Sequence, residues 1–166
     1  MVEGNESMMK KKIPIIVLLV FLDQLLKIVI YNTIAQTGNS IEILNILKIT
    51  YVENTGAAFG LFSGNILLIG IDIVIIYTIV KLIISKKYKT TDLHRLGYSL
   101  ILAGGIGNLI DRLFRGYVID YIDISRIFNY PVFNLADVCI VVGVIIIMAI
   151  IIINTVKSQE NAGERV

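Results

Sequence analysis

The chain has one cysteine and one histidine in 166 residues, and only 17% of its side chains are charged. A single cysteine, Cys139, excludes an intrachain disulfide and a cysteine-based zinc site. It lies in an apolar run and reads as a small buried hydrophobe, too far from the N-terminus to be the acylated cysteine of a lipoprotein. His94 has no second histidine to share a metal; it sits in the polar stretch KKYKTTDLHR, residues 86–95, where a solvated loop residue is expected. The net charge is +2 and no basic tract is interleaved with aromatics, which argues against a nucleic-acid partner. The usual nucleophile motifs are missing: there is no GxSxG and no HExxH, and the lone cysteine and histidine lie in different regions. GGIGN at 104–108 closes a helical stretch instead of opening one, so it does not read as a phosphate loop.

What the chain does have is hydrocarbon. Hydrophobic residues make up 56% of it and the mean hydropathy is +0.81, more than a soluble domain of this length requires. The expected fold class is an all-α polytopic membrane protein, one integral-membrane domain over residues 1–166. Four transmembrane helices are expected at about 13–31, 66–84, 93–110 and 133–154, joined by outer loops 32–65 and 111–132. The first span is about 28 Å long at 1.5 Å per residue, enough for the hydrocarbon core. Lys10, Lys11 and Lys12 before it could open a signal peptide, but the apolar run continues to Tyr31 and no small-residue cleavage site follows, so a retained span is expected. TGNS at 37–40 is a turn signal. LKITYV at 47–52 alternates as a short strand does, which predicts a small extracytoplasmic β element. The polar tail 156–166 reads as disordered.

Ten of the fifteen Lys and Arg residues lie in the N-terminal head, the 81–95 region and the tail. By the bias of cytoplasmic loops towards positive charge, both termini and the middle loop are expected inside. Lys27, Asn108, Asp111, Arg112, Asn134 and Asp137 then fall towards the outer ends of their spans. Asp23 lies one turn deeper than Lys27. Asp23 and Lys27, at i and i+4, share a helical face and can pair, as a structural anchor or as the lining of a site. Asp72 lies about two turns into the second span, where bonding to a neighbouring helix is the expected role.

The densest polar stretch is Gly104 to Asp137, with Asp111, Asp120, Asp123 and Asp137 and with Arg112, Arg115, Arg126, Asn108 and Asn134 around them. Ionisable groups in a membrane chain are expensive and ask for a functional account. Gly104 and Gly107 suit close helix packing. Asn108 and Asp111 are three apart, as are Asn134 and Asp137, so each pair shares a face. With nucleophile and metal motifs missing, carboxylate chemistry remains. Two carboxylates held close cannot both ionise cheaply, so one keeps a proton while the other takes one from water. Spacing alone does not select the pair from the four aspartates.

Five pieces, LDQLLK at 22–27, ENTGAAFG at 53–60, GGIGNLIDR at 104–112, GYVID at 116–120 and FNLAD at 133–137, occur in the order seen in bacterial lipoprotein signal peptidase (signal peptidase II). The chain resembles that family over nearly its whole length. The resemblance implies an intramembrane aspartic endopeptidase of the bacterial cytoplasmic membrane, its active site near the outer face. It would remove the signal peptide from diacylglyceryl-modified prolipoproteins by cutting N-terminal to the lipidated cysteine. The catalytic pair would be Asp120 and Asp137, with Asp23, Lys27, Asn54, Gly56, Asn108, Asp111, Arg112 and Asn134 as substrate-binding or supporting residues. Asp111 and Arg112 would pair to hold the loop. No metal or organic cofactor is implied; the expected partners are prolipoproteins, membrane lipid and inhibitors of the globomycin type. VIDY at 118–121 departs from the commoner VVDF, and the seventeen-residue spacing of the pair spans a loop of variable length. The alternative reading is a small ion- or proton-coupled transport subunit, which would need polar groups reaching deeper, and only Asp72 approaches that.

Overall fold

The structure, a computed structural model, describes residues 12–43, 46–56, 65–84 and 90–163. Most of the N-terminal head, residues 57–60 of the ENTGAAFG motif, residues 86–89 of the basic loop and the end of the tail lie outside the described residues. Among the described residues four helices and a three-stranded sheet follow in the order α1 (Ile13–Ile30), β1 (Ile41–Ile43), β2 (Leu47–Asn54), α2 (Asn65–Ile84), α3 (Asp92–Phe114), β3 (Val118–Asp123) and α4 (Leu135–Gly163).

The polarity of the bundle is inside out. Phe21, Val17 and Leu18 on α1, Val74 on α2 and Ile145 on α4 stand exposed, while Asp23, Lys27, Asp111 and Asp120 are buried. Water cannot be the solvent for such a surface; the acyl chains of a bilayer can. Among the described residues three helical segments are long and apolar enough to cross a membrane, Ile13–Ala35, Ile66–Ile84 and Leu135–Glu160. The expected third span, α3, does not qualify by composition. The reason is its position: α3 packs against α1, α2 and α4, so its faces meet protein, and it carries buried Arg95, Ser99, Asn108 and Asp111.

Glycine makes that central packing possible. A Cβ on Gly104 would collide with the Ala136 backbone carbonyl of α4, and one on Gly143 of α4 would lie 2.6 Å from the Gly97 carbonyl oxygen. Both are closer than a methyl group can stand, so the helices approach at separations that only glycine allows.

Several boundaries differ from expectation. A π-helical turn, Tyr31–Ala35, prolongs α1. Asp111 and Arg112 lie inside α3, not in a loop, because Arg115 and Gly116 end the helix: the Arg115 N–H closes on the Asp111 carbonyl oxygen at 2.8 Å, and Gly116 takes φ +84°, the left-handed stop that glycine tolerates. The supposed disordered tail is helical to Gly163, since Lys157, Gln159, Glu160 and Ala162 favour helix and no proline intervenes. His94 belongs to the first turn of α3, where its ring nitrogen meets the Thr91 N–H at 3.2 Å while Thr91 caps the His94 N–H.

The sheet runs β1-β2-β3, all antiparallel. β3 lies in what sequence patterning left as a polar connection. Val118, Ile119, Tyr121 and Ile122 give it strand character, and its register sets Asp120 opposite Val52. Its other edge takes the backbone of Phe133, whose carbonyl accepts from Tyr121 at 3.0 Å and Ile122 at 2.7 Å. Residues 124–132 therefore leave the strand and return to it, delivering Asn134 and Asp137 beside Asp120.

Candidate active site

Two carboxylates, Asp120 on β3 and Asp137 in the first turn of α4, line one cavity of about 220 Å³ together with Asn54, Gly56 and Arg112. Local sequence explains Asp137. Asn134 precedes α4 and its side-chain oxygen accepts from the Asp137 N–H at 2.9 Å, while the Asp137 carboxylate accepts from the Asn134 N–H at 3.2 Å. This reciprocal capping box starts the helix and fixes Asp137 at its positive end. The Asn134 amide nitrogen donates to Asp120 at 2.6 Å. One buried residue thus ties both carboxylates, Asp120 through its side-chain amide and Asp137 through its backbone N–H.

Two more amides complete the cradle. Asn54 donates to the other Asp120 oxygen at 2.8 Å, its own oxygen held by the Gly56 N–H at 3.0 Å. Asn108 donates to Asp137 at 2.8 Å. Among the described residues neither Asp120 nor Asp137 is ion-paired. Burial, with the Asp137 charge second, pushes the Asp120 carboxyl up to about 6, against the pull of the Asn54 and Asn134 hydrogen bonds. Asp123 does not line the cavity. It pairs with Lys48 at 3.8 Å and accepts from the Ser125 N–H at 2.9 Å, and the Ser125 hydrogen bonds hold its carboxyl below the usual range.

Behind the cradle lies a second set of charges. Lys27, fully buried, contacts Asp23 and Asp111 at 2.9 Å each and donates to the Asn108 oxygen at 3.2 Å. Asp23 accepts from the Ala136 N–H at 3.0 Å, and Asp111 accepts from the Ile119 N–H at 3.1 Å. Ala136 immediately precedes Asp137 and Ile119 immediately precedes Asp120. Each brace carboxylate therefore holds the backbone next to one cavity carboxylate, and one lysine holds both. Asp23 and Lys27 form the i, i+4 pair and do not line the cavity. The expected Asp111–Arg112 pair does not form. Consecutive helical residues point about 100° apart, so Asp111 turns to Lys27 and Arg115 while Arg112 turns to Asp72 at 2.7 Å.

Gln24 and Arg115 carry roles that sequence patterning did not assign. Gln24 donates to Gly107 O at 3.1 Å and to Asp111 at 3.2 Å, and accepts from Arg115 at 3.0 Å. Arg115 lies four residues after Asp111, a spacing that marks it as a partner. A larger apolar groove, of about 640 Å³, adjoins the cavity through Asp137 and Phe133 and is walled by Phe128, Val138 and Val142.

A family profile described as signal peptidase (SPase) II matches residues 15–153. The chain belongs to the signal peptidase II family. It is 42% identical over 147 residues to a lipoprotein signal peptidase of Clostridioides difficile, covering 89% of this chain and 98% of that protein. A lipoprotein signal peptidase of Fusobacterium nucleatum is 38% identical over 149 residues, covering 89% and 88%. A solved structure described as a bacterial membrane enzyme, determined by the in meso method at 2.3 Å, superposes with a TM-score of 0.80 at 36% identity, covering 88% of this chain and 90% of that one. Membership makes the chain a peptidase, and its apolar helices with the structural likeness make it a multi-pass bacterial membrane protein. The transport alternative fails on the same finding, and Asp72, its deepest polar group, is spent on Arg112.

Proposed function

We propose that the protein is an aspartic endopeptidase that cleaves diacylglyceryl-modified prolipoproteins immediately N-terminal to the lipidated cysteine, with Asp120 and Asp137 as the catalytic pair. The observation that carries this reading is the shared cavity: a buried carboxylate, Asp120, and a half-buried one, Asp137, without a cationic partner among the described residues, tied through Asn134. Asp120, with its raised affinity for a proton, is the acid. Asp137, at a helix N-terminus and fed by Asn108, is the anion.

Asp137 takes a proton from water as the water oxygen attacks the scissile carbonyl, and Asp120 gives its proton to the carbonyl oxygen. The resulting diol collapses: its hydroxyl proton returns to Asp120, the proton on Asp137 passes to the leaving nitrogen, and the C–N bond breaks. The products are the signal-peptide carboxylic acid, which then gives its proton to solvent, and the free amino group of the lipidated cysteine. The two carboxylates share protons as a unit.

The apolar groove beside Asp137 suits the hydrophobic part of the signal peptide. Four spans, with both termini cytoplasmic and the sheet and cavity at the outer face, would put the site level with the diacylglyceryl tails in the outer leaflet. Globomycin-type peptides would compete for the same cavity.

Purified protein in detergent or lipid, given a diacylglyceryl prolipoprotein, is expected to release the signal peptide, and both Asp120→Asn and Asp137→Asn are expected to release none. Full cleavage by either variant sinks the pair, and no cleavage by the unaltered protein sinks the substrate.

A further inference from the structure

Asp72 belongs to none of the five motif stretches, and it is the only acidic residue of α2. A carboxylate inside an otherwise apolar membrane helix is costly to insert, and an ion pair with one arginine returns little net stability for that cost. Its presence there therefore calls for a use other than stability.

The partner supplies one. Arg112 reaches from α3 to Asp72 through Nη1 at 2.7 Å, with both side chains largely buried, and Arg112 also lines the cavity that holds Asp120 and Asp137. Its Nε is buried and has no hydrogen-bond partner among the described residues. A buried guanidinium N–H left without an acceptor beside a catalytic cavity is a donor awaiting a ligand. A peptide carbonyl would satisfy it.

We propose that Asp72 is a positioning residue for cleavage: by fixing one end of the Arg112 guanidinium, it presents Nε–H to a backbone carbonyl of the substrate at the cavity wall. Arginine is a planar fork with fixed donor directions, so anchoring Nη1 sets where Nε points. The anchoring carboxylate also offsets the guanidinium charge, so that Arg112 enters the cavity as a donor without drawing the proton-sharing carboxylates into a salt bridge. This role rests on the proposed peptidase chemistry and extends it to α2, which the motif stretches leave out.

The test is steady-state cleavage of a diacylglyceryl-cysteine prolipoprotein peptide by Asp72→Asn, Asp72→Glu, Arg112→Lys and the double variant Asp72→Asn/Arg112→Lys, with melting temperatures in the same detergent. Asp72→Asn is expected to lower kcat about tenfold with KM within about twofold, because the apolar groove that holds the rest of the substrate is untouched. Asp72→Glu keeps a carboxylate within reach and is expected to restore most of kcat. In the Arg112→Lys background, where no Nε remains to be aimed, Asp72→Asn is expected to cost almost nothing further. If Asp72→Asn is not recovered folded, Asp72→Ser removes the same charge and carries the same expectation.

A kcat within about twofold of the unaltered protein overturns the proposal, as does a loss carried by KM, or losses that multiply in the double variant. Asp120→Asn is assayed alongside. Full cleavage by that variant sinks the catalytic pair itself, whereas its inactivity beside normal turnover by Asp72→Asn sinks only the role of Asp72.

Discussion

Four aspartates, three buried and Asp137 half-buried, stand within one end of this bundle, and they divide into two regions by the company they keep. Asp23 and Asp111 face Lys27 and also accept from the backbone N–H groups of Ala136 and Ile119, Asp111 through the same oxygen that meets Lys27. Asp120 and Asp137 face amides and each other's field. A shared cation holds these two carboxylates in one arrangement and makes them struts. Amides hold a carboxylate in place without settling whether it carries a proton, which is what a group that must gain and lose one requires. Residue type does not separate the two sets; the partner does. The brace acts on the pair by position, one residue upstream of each member.

The comparison breaks most visibly at Lys27. Lys27→Met leaves Asp23 and Asp111 buried with their shared cation gone, a change that costs about 3–5 kcal/mol when one partner of a buried ion pair is removed. The expected result is a large fall in melting temperature in detergent, with signal-peptide release lost as a consequence. A variant that melts within a few degrees of the unaltered protein yet fails to cleave would move Lys27 from the brace to the cavity chemistry.

Asn134 sits on the other side of the division and should behave in the opposite way. Asn134→Ala removes a helix cap, worth about 1 kcal/mol, and with it the donor that holds Asp120. Loss of a preorganised donor at a reacting centre typically lowers kcat by about 10²–10³. Cleavage is therefore expected to collapse while the melting temperature moves little. Equal and modest losses in both would make Asn134 only a cap.

How far these regions could be read from sequence depends on the range of the contacts. The i, i+4 pair of Asp23 and Lys27 was legible because it is local to one helix. So was the shared face of Asn134 and Asp137, which the structure turns into a capping box. Strand β2 was legible from alternation. Strand β3 was not, because Asp120 and Asp123 fall inside a segment where a strand would be read as apolar, and its pairing partners, Asn54 and Phe133, are distant in sequence or across a loop. Arg112 was assigned to its neighbour Asp111, since adjacency in sequence suggests contact; on a helix, neighbours diverge, and the true partner lies forty residues away on α2. The membrane character of α1, α2 and α4 followed from composition, whereas α3 hides its place at the centre behind glycines and polar side chains that other helices cover.

The smallest expected effect separates the two kinds of carboxylate by pH. Folding raises the Asp120 carboxyl from an ordinary 3.8 to about 6. Between those values the folded protein binds more protons than the unfolded chain, so this group's contribution to stability falls as pH rises from about 4 to 6 and stays lowered above, by on the order of 2–3 kcal/mol at full size. Asp120→Asn carries no such titration. The melting temperature of the variant relative to the unaltered protein is therefore expected to climb between about pH 4 and 6 and then level. The kcat/KM of the unaltered protein should instead fall as pH rises through about 6, as Asp120 loses the proton it must donate. A difference that stays flat would remove the perturbation. One that runs the other way would mean that folding favours the Asp120 anion, because a carboxylate stabilised as an anion strengthens the fold as pH rises.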